Sequence, residues 1–441
     1  MNATLPMKPI QVGLLGAGTV GSGTFKVLQR NQEEIKRRAG RGIEITMVAD
    51  LDTARAREVA GESVKVVSDA REVIANPDID IVIELIGGYG IAKQLVLEAI
   101  AAGKHVVTAN KALLAVHGAE IFAAARKQGV AVAYEGAVAV SIPIVKALRE
   151  GLAANRIEWV AGIINGTTNF ILSKMRDEGL DFAAALAQAQ ALGYAEADPS
   201  FDIEGIDAAH KLSLLAANAF GMPLRFADVQ VEGITALQGL DVACAEQLGY
   251  RIKLLGVARR QASGVELRVQ PALVPATHLM AQVNGSMNAV MVKSDAAGLT
   301  MYYGAGAGSE QTASAVIADL VDVARLDGVN AAQHVPHLGV HEHATNALAV
   351  LPRAAVHTSH YLRVPVRAVS QIQAVTACLA EQKVPVRQVA LAAERPGVGP
   401  QVLVLTGPVA QGTLDLAVHA LQARSEVAGV VATLCVELLE G

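Results

Sequence analysis

The chain has 441 residues, 52% of them hydrophobic, 18% charged and only 3% aromatic, with a formal net charge of −5. This composition excludes a disordered chain and leaves room for two or three domains with cores built from Ala, Val, Ile and Leu. No basic tract with interleaved aromatics marks a nucleic-acid partner, since Lys36, Arg37, Arg38 and Arg41 read as a solvated helix end, and no apolar run reaches the ~18 residues of a membrane span.

Residues 10–15 read as a buried strand, followed by a glycine turn and a helix over 20–38. Strands over 43–49 and 79–86 bracket a helix at 54–60. A helix over 91–102, a strand over 105–108, a helix over 115–128 and a strand over 130–134 follow. This alternation predicts an α/β fold, a Rossmann-type doubly wound parallel sheet over residues 1–136. Over 137–303, strands such as 158–164 and 265–269 mix with Ala-rich helices at 182–192 and 206–219, as in an α+β substrate or dimerisation domain. A turn with Gly304, Gly306 and Gly308 precedes a helix over 311–325, so that 304–330 is expected to pack back on the first domain. Residues 331–357 read as a linker. From 358 to 441 the strands 361–366, 386–393, 401–406 and 430–437 and the helices 370–382 and 412–423 give the order βαββαβ, of ferredoxin-like type.

Gly16-Ala17-Gly18-Thr19-Val20-Gly21 fits G-x-G-x-x-G between a strand and a helix. Gly16 allows the tight turn, Gly18 the approach of a pyrophosphate, and Gly21 the close seating of helix on strand. Free N–H groups and the positive end of the helix dipole then face the phosphates. Asp50 ends the second strand, where an acid bonds the ribose of NAD. It lies further from the turn than the usual ~20 residues, and Arg55 and Arg57 offer a 2′-phosphate partner instead, so both NAD and NADP stay open.

Downstream, Glu196, Asp198, Asp202, Glu204 and Asp207 crowd one stretch, which is costly unless a cation, water or solvent compensates. Asp207 and Lys211 are spaced i, i+4 and share one helix face. That spacing alone reads first as an exposed salt bridge of ~0.3–0.5 kcal/mol.

Asn110-Lys111, the run from Gly162 through Asn165-Gly166-Thr167-Thr168-Asn169 to Leu172, Gly193-Tyr194-Ala195-Glu196-Ala197-Asp198-Pro199, and Asp207-Ala208-Ala209-His210-Lys211 follow one another along the chain. These motifs resemble those of the homoserine dehydrogenases, in the family's order and over essentially the whole chain. The resemblance implies an NAD(P)-dependent oxidoreductase that interconverts L-homoserine and L-aspartate 4-semialdehyde on the route to threonine, methionine and isoleucine. It implies Glu196 and Asp207 as substrate ligands with Gly193 shaping the pocket, and Lys211 as proton donor and acceptor. Lys111 would lie beside the nicotinamide and the substrate, and Gly308 against the cofactor. Such a zwitterionic substrate needs carboxylates for its ammonium and a proton acceptor near its hydroxyl.

Residues 134–143 are similar to a family segment that binds a monovalent cation such as sodium. Its ligands would be the Glu135 carboxylate and the carbonyls of Val138, Val140 and Ile142, an all-oxygen set. Val140 and Ser141 stand where glycines are usual, and a β-branched residue tolerates positive φ badly. His334, His337, His341 and His343 lie within ten residues, but no cysteine is near and the spacing is not H-E-x-x-H, so packing histidines are expected. The last domain resembles an ACT domain, which implies threonine as an effector. The family's D-x-P-G turn is missing, with Arg367-Ala368-Val369-Ser370 in its place.

The odd, scattered Cys244, Cys378 and Cys435 suit a reducing cytoplasm, and the first nine residues are too short for a signal peptide. With no aspartokinase-like segment ahead of the nucleotide domain, a monofunctional homodimer or homotetramer is expected. The rival readings are a dinucleotide-sensing regulatory protein without catalysis and a dehydrogenase for another amino acid.

Overall fold

Short apolar strands separated by helices are buried on both faces when the helices cover both sides of a parallel sheet. The computed structural model, which describes residues 7–440, has such a sheet. Its strands are β1 (Ile10–Leu15), β2 (Ile43–Ala49), β3 (Lys65–Val67), β4 (Ile81–Glu84), β5 (His105–Thr108) and β6 (Val132–Ala133), in the order β3-β2-β1-β4-β5-β6. Every neighbouring pair is parallel. The order reverses between β1 and β4, and the crevice beyond their carboxyl ends is where such sheets take a ligand. The helices between them are α1 (Thr19–Arg30), α2 (Gln32–Ala39), α3 (Thr53–Ala60), α4 (Ala70–Ala75), α5 (Ile91–Ala101) and α6 (Lys111–Gln128).

The single helix expected over 20–38 is two, because Asn31 leaves helical geometry (φ −109°, ψ 21°) and its N–H closes α1 on the Val27 carbonyl. Neither β3 nor α4 is expected from the sequence. Three residues of strand starting on exposed Lys65 are too few to show a period.

The second part of the chain holds α7 (Ile144–Lys146), β7 (Ile157–Ile163), α8 (Gly166–Asp177), α9 (Phe182–Ala191), α10 (Ser200–Ile203), α11 (Ile206–Phe220), β8 (Gln230–Val231), α12 (Gly239–Gln247), β9 (Tyr250–Gln261), β10 (Gly264–Pro275), β11 (Met287–Ser294) and β12 (Gly298–Ala305). Five strands run β12-β11-β7-β9-β10. Helix α11 is buried from Asp207 to Phe220, with Ala and Leu on every face and the buried polar residues Asp207, His210, Lys211, Ser213 and Asn218 among them. The chain then returns to the first sheet as α13 (Ser309–Ala324). It packs so closely on α1 that a Cβ at Gly23 would lie 2.4 Å from Ser309 Oγ. Ser309 Oγ donates to the Thr19 carbonyl (2.6 Å).

The linker caps a sheet edge. His337 Nε2 accepts the outward Val132 N–H of β6 (3.1 Å), the Tyr134 hydroxyl donates to the His337 carbonyl (2.6 Å), and the ring stacks on Phe122 at 5.0 Å. Burial pushes the imidazole down to about 3, so it stays neutral as an acceptor must. Among the described residues no group of three or more His, Cys, Asp or Glu is placed to hold a metal, and no helix is long and apolar enough to cross a membrane. The three cysteines are free and buried.

The last segment comprises β13 (His357–Pro365), α14 (Ile372–Glu381), β14 (Val386–Leu391), β15 (Gln401–Thr406), β16 (Val409–Ala410), α15 (Gln411–Gln422) and β17 (Ala432–Val436). Its sheet runs β17-β13-β15-β14 with antiparallel neighbours. Strand β17 pairs in parallel with β10 through Ala272–Cys435 and Leu273–Val436, so the two sheets are one sheet of 11 strands. Nothing in the sequence reading joins them.

Charged side chains line this seam in the core. Arg268 pairs with Glu437, and Arg259 reaches both Glu266 and Glu437 at 2.8 Å. Arg268, Glu266 and Glu437 are each no more than 3% exposed. Burial alone would raise the Glu437 carboxyl, but the Arg268 and Arg259 guanidiniums outweigh it and hold it at about 2. Removing one partner strands a buried charge, so Glu437→Ala is expected to destabilise the protein by about 3–5 kcal/mol in denaturant unfolding. A depressed carboxyl contributes stability above its ordinary 4.5, and this contribution fades as pH falls toward 2. Wild type should therefore lose stability through that window more steeply than the variant.

Candidate active site

The glycine turn sits at the reversal point of the parallel sheet. Gly16 has φ +95°, and a Cβ there would lie 2.8 Å from the Leu85 carbonyl beyond β4. A Cβ at Gly21 would lie 2.1 Å from the Gly16 carbonyl, so α1 seats directly on the turn. At Gly18 a Cβ would meet only Arg55 Nη2, at 3.5 Å, which leaves this face open. Gly18 caps α1 without a side-chain hydrogen bond, and the first turn, with Thr19 and Val20, carries no acid. Its N–H donors are free for an anion, and the residues present fit a dinucleotide pyrophosphate.

Asp50 does not stand free at the end of β2. Its Oδ2 accepts the Ala17 N–H (2.6 Å) and its Oδ1 the Asp52 N–H (2.9 Å), so it also pins the turn. Arg57 closes its own loop on the Gly61 and Val64 carbonyls (3.1 and 2.7 Å) and leaves Arg55 as the cation at the turn. Gly308, at φ +133°, caps α13, where a Cβ would collide with the Gln311 side chain.

A second group forms at the ends of β4 and β5. Thr108 Oγ1 donates to Glu84 Oε2 (2.6 Å), and Glu84 Oε1 accepts the N–H groups of Ile86 and Gly87 (3.0 and 3.1 Å). Asn110 accepts the Leu113 N–H as the cap of α6 and donates to the Gly88 carbonyl. These bonds shape the 86–90 loop and start α6 at Lys111, which therefore projects from the carboxyl end of the parallel sheet.

Lys111 Nζ lies 3.1 Å from Asp207 Oδ1, across the boundary between the two sheets. Asp207 is in the first turn of α11, where the helix dipole favours a carboxylate. One turn on, Lys211 Nζ donates to Asp207 Oδ2 (2.8 Å) and to the Ile164 carbonyl (2.9 Å). Asp207 and Lys211 are 4% and 7% exposed, so theirs is not the screened surface pair that the spacing alone allows. Burial would by itself raise the Asp207 carboxyl, but the Lys211 and Lys111 cations overcome it and hold it far below the carboxylate range. Burial lowers Lys211, with Asp207 opposing and Lys111 assisting.

Asn165 and Asp202 complete the cluster. Asn165 caps α8 by accepting the Thr168 N–H (2.8 Å), while its Nδ2 donates to Asp202 Oδ1 (2.7 Å) and Asp207 Oδ2 (2.8 Å). Burial and the neighbouring Asp207 charge raise the Asp202 carboxyl. Neither residue is assigned a role from the sequence alone. The one local signal is that Asn is a favoured helix N-cap, and no helix after Asn165 is expected from the sequence.

Glu196 is not joined to this cluster. Gly193, at φ +76°, ends the turn after α9, and the loop is tied down where Thr167 Oγ1 donates to the Tyr194 carbonyl (2.7 Å). Gln190 Nε2 donates to the Glu196 carbonyl (3.1 Å), while the Glu196 carboxylate is exposed. In the cation-like segment, Glu135 spends both oxygens on the N–H groups of Val145 and Lys146 (2.9 and 2.8 Å). The Ile142 carbonyl accepts the Ile144 N–H (2.8 Å). Val140 takes φ +53° despite its branched side chain. Ser141 holds it there through bonds of its N–H (3.3 Å) and Oγ (2.8 Å) to the Ala305 carbonyl.

Comparison with known proteins agrees with this arrangement. A family model for the homoserine dehydrogenase NAD-binding domain matches residues 16–135, and one for homoserine dehydrogenase matches 143–321. The chain is 54% identical to the homoserine dehydrogenase of Pseudomonas aeruginosa over 98% of this chain and 100% of that one. It is 50% identical to that of Neisseria gonorrhoeae over 95% and 96%. A crystal structure of a homoserine dehydrogenase from Thiobacillus denitrificans superposes with a TM-score of 0.94 at 52% identity, covering 99% of this chain and 100% of the other. The crevice, the lysine-flanked carboxylate and these end-to-end likenesses agree: the chain belongs to the homoserine dehydrogenase family.

Proposed function

We propose that the chain interconverts L-homoserine and L-aspartate 4-semialdehyde with NAD or NADP, and that Lys211 moves the proton. One observation carries the reading: Asp207 is shared between a buried lysine of the substrate domain and a lysine at the mouth of the nucleotide crevice. The bound dinucleotide supplies the hydride in one direction and takes it up in the other. Gly16, Ala17, Gly18, Thr19, Val20 and Gly21 would hold its pyrophosphate. Asp50 suits the ribose hydroxyls and Arg55 a phosphate, with Gly308 and Lys111 nearer the ring.

Two of the three Lys211 N–H bonds are engaged by Asp207 and Ile164, which leaves one for the substrate oxygen. In the reducing direction Lys211 donates that proton to the forming alkoxide. In the oxidising direction neutral Lys211 accepts the hydroxyl proton, and burial makes the neutral form accessible. Asp207 orients both lysines. Asp207 and the free Glu196 carboxylate bind the substrate ammonium, Glu196 by closure of the loop that begins at Gly193. A monovalent cation such as sodium at Glu135, Val138, Val140 and Ile142 is supported by the positive φ of Val140 and by the burial that raises the Glu135 carboxyl, which a cation would relieve.

The βαββαβ segment is read as an ACT-like regulatory domain. Its strand order supports this reading, and added threonine tests it. A homo-oligomer is tested by sedimentation.

Following reduced cofactor by absorbance with homoserine, using NAD and NADP in turn, tests the main reading. Turnover confined to other amino alcohols, or cofactor binding without turnover, would favour the two rival readings. Lys211→Ala should lower kcat by ~10²–10⁴-fold with the fold intact by circular dichroism. Near-normal turnover removes Lys211 from the role. Because the base form is neutral, homoserine oxidation should rise with pH through the lowered Lys211 value while aldehyde reduction falls. In Asp207→Asn the loss of the anion lowers Lys211 further, so the pH at which reduction declines should move down. A profile unmoved by this change separates Asp207 from Lys211 in function.

A further inference from the structure

Among the described residues, Asn288 alone leaves two side-chain polar atoms buried without a partner. Both its amide nitrogen and oxygen lack hydrogen bonds, and the residue has no exposed surface. It stands on β11 opposite Gly304 of β12. A Cβ at Gly306 would lie 2.0 Å from Asn288 Nδ2, and one at Gly166 would lie 3.6 Å from Asn288 Oδ1. Gly306 is two residues before Gly308, and Gly166 follows Asn165, the residue that bonds Asp202 and Asp207. The amide therefore lies between the later glycine turn and the first residue of α8.

A separate network fixes it in this place. Lys253 Nζ donates to Asn169 Oδ1 (3.1 Å), and Asn169 Nδ2 donates to the carbonyls of Val283, Gly285 and Met287 (3.1, 2.9 and 3.1 Å). This is the stretch that leads into β11. A buried lysine and a buried asparagine thus hold the backbone that carries a second buried amide, Asn288.

An apolar residue would pack here and leave nothing unpaired, so two open polar atoms point to a ligand that pairs with both. The ligand has to offer one acceptor and one donor side by side, which a primary carboxamide does. We propose that Asn288 binds the carboxamide of the nicotinamide ring and so sets which face the ring turns to the substrate. This rests on the cofactor site read above. Gly306 covers the amide in the free chain, so the turn 306–308 lifts as the ring enters. Gly304, Gly306 and Gly308 give that turn the freedom to do so.

The test is equilibrium binding by titration calorimetry without substrate, so that a failure of homoserine turnover leaves it intact. The probes are the natural reduced dinucleotide and its 3-acetylpyridine analogue, which keeps the carbonyl and lacks the amide N–H. Wild type should bind the carboxamide form several-fold to tenfold more tightly, the range of one hydrogen bond. In Asn288→Ala and in Asn288→Asp, which keeps the shape but loses the donor pattern, that preference should disappear. Equal weakening of both probes in the variants, as expected of a purely structural residue, overturns the proposal. Should neither variant fold, equal affinity of wild type for the two probes overturns it and a clear preference supports it.

Discussion

A carboxylate removed from water holds only where cations or hydrogen bonds replace the lost hydration. Asp207 meets that condition with donors from three places. Lys111 comes from the nucleotide sheet, Lys211 from its own helix, and Asn165 from the start of α8. Each donor belongs to a different element, so the carboxylate fixes three chain segments relative to one another. The crevice geometry follows, since Lys111 cannot meet Asp207 unless the carboxyl end of β5 faces the amino end of α11. The same bond therefore assembles the cleft and tunes Lys211, the residue proposed to move the proton.

Around that point the protein uses backbone economy on one side and charge on the other. The cofactor side is made of glycines whose missing Cβ atoms leave room for turns and for phosphate. The substrate side is made of polar side chains that satisfy each other with little left over. The exceptions are His210 Nδ1 and the Asn288 amide, the latter packed against Gly306. A contact between a rigid network and a glycine turn is suited to an element that moves a short distance without disturbing what it rests on.

Five strands of the parallel sheet were legible because they are largely apolar runs between helical stretches, and the first turn because it is a glycine motif with a physical reason at each position; β3 was too short to show. Helix α11 and the Asp207–Lys211 pair were legible as a shared face, but their burial was not. The spacing i, i+4 is the same on a surface, and only the packing of α11 against the second sheet distinguishes the two. Asn165 escaped notice because its second bond depends on Asp202 and Asp207, some forty residues away in the chain. The junction of β10 with β17 was invisible for a similar reason. Parallel pairing leaves no local turn signature, and the buried Arg268 and Glu437 look like surface residues in a strand pattern. Val140 shows the reverse case, where a local rule against positive φ gave way to bonds from Ser141 to a distant strand.

The shared sheet also determines how separable the parts of the chain are. A polypeptide ended at residue 357 keeps every group of the Asp207 cluster, yet β10 loses the neighbour that pairs with Ala272 and Leu273. Its main-chain groups become an open margin, a template for another molecule's strand. Arg268 would face that margin without Glu437. The C-terminal segment thus protects the edge of the sheet that carries β10.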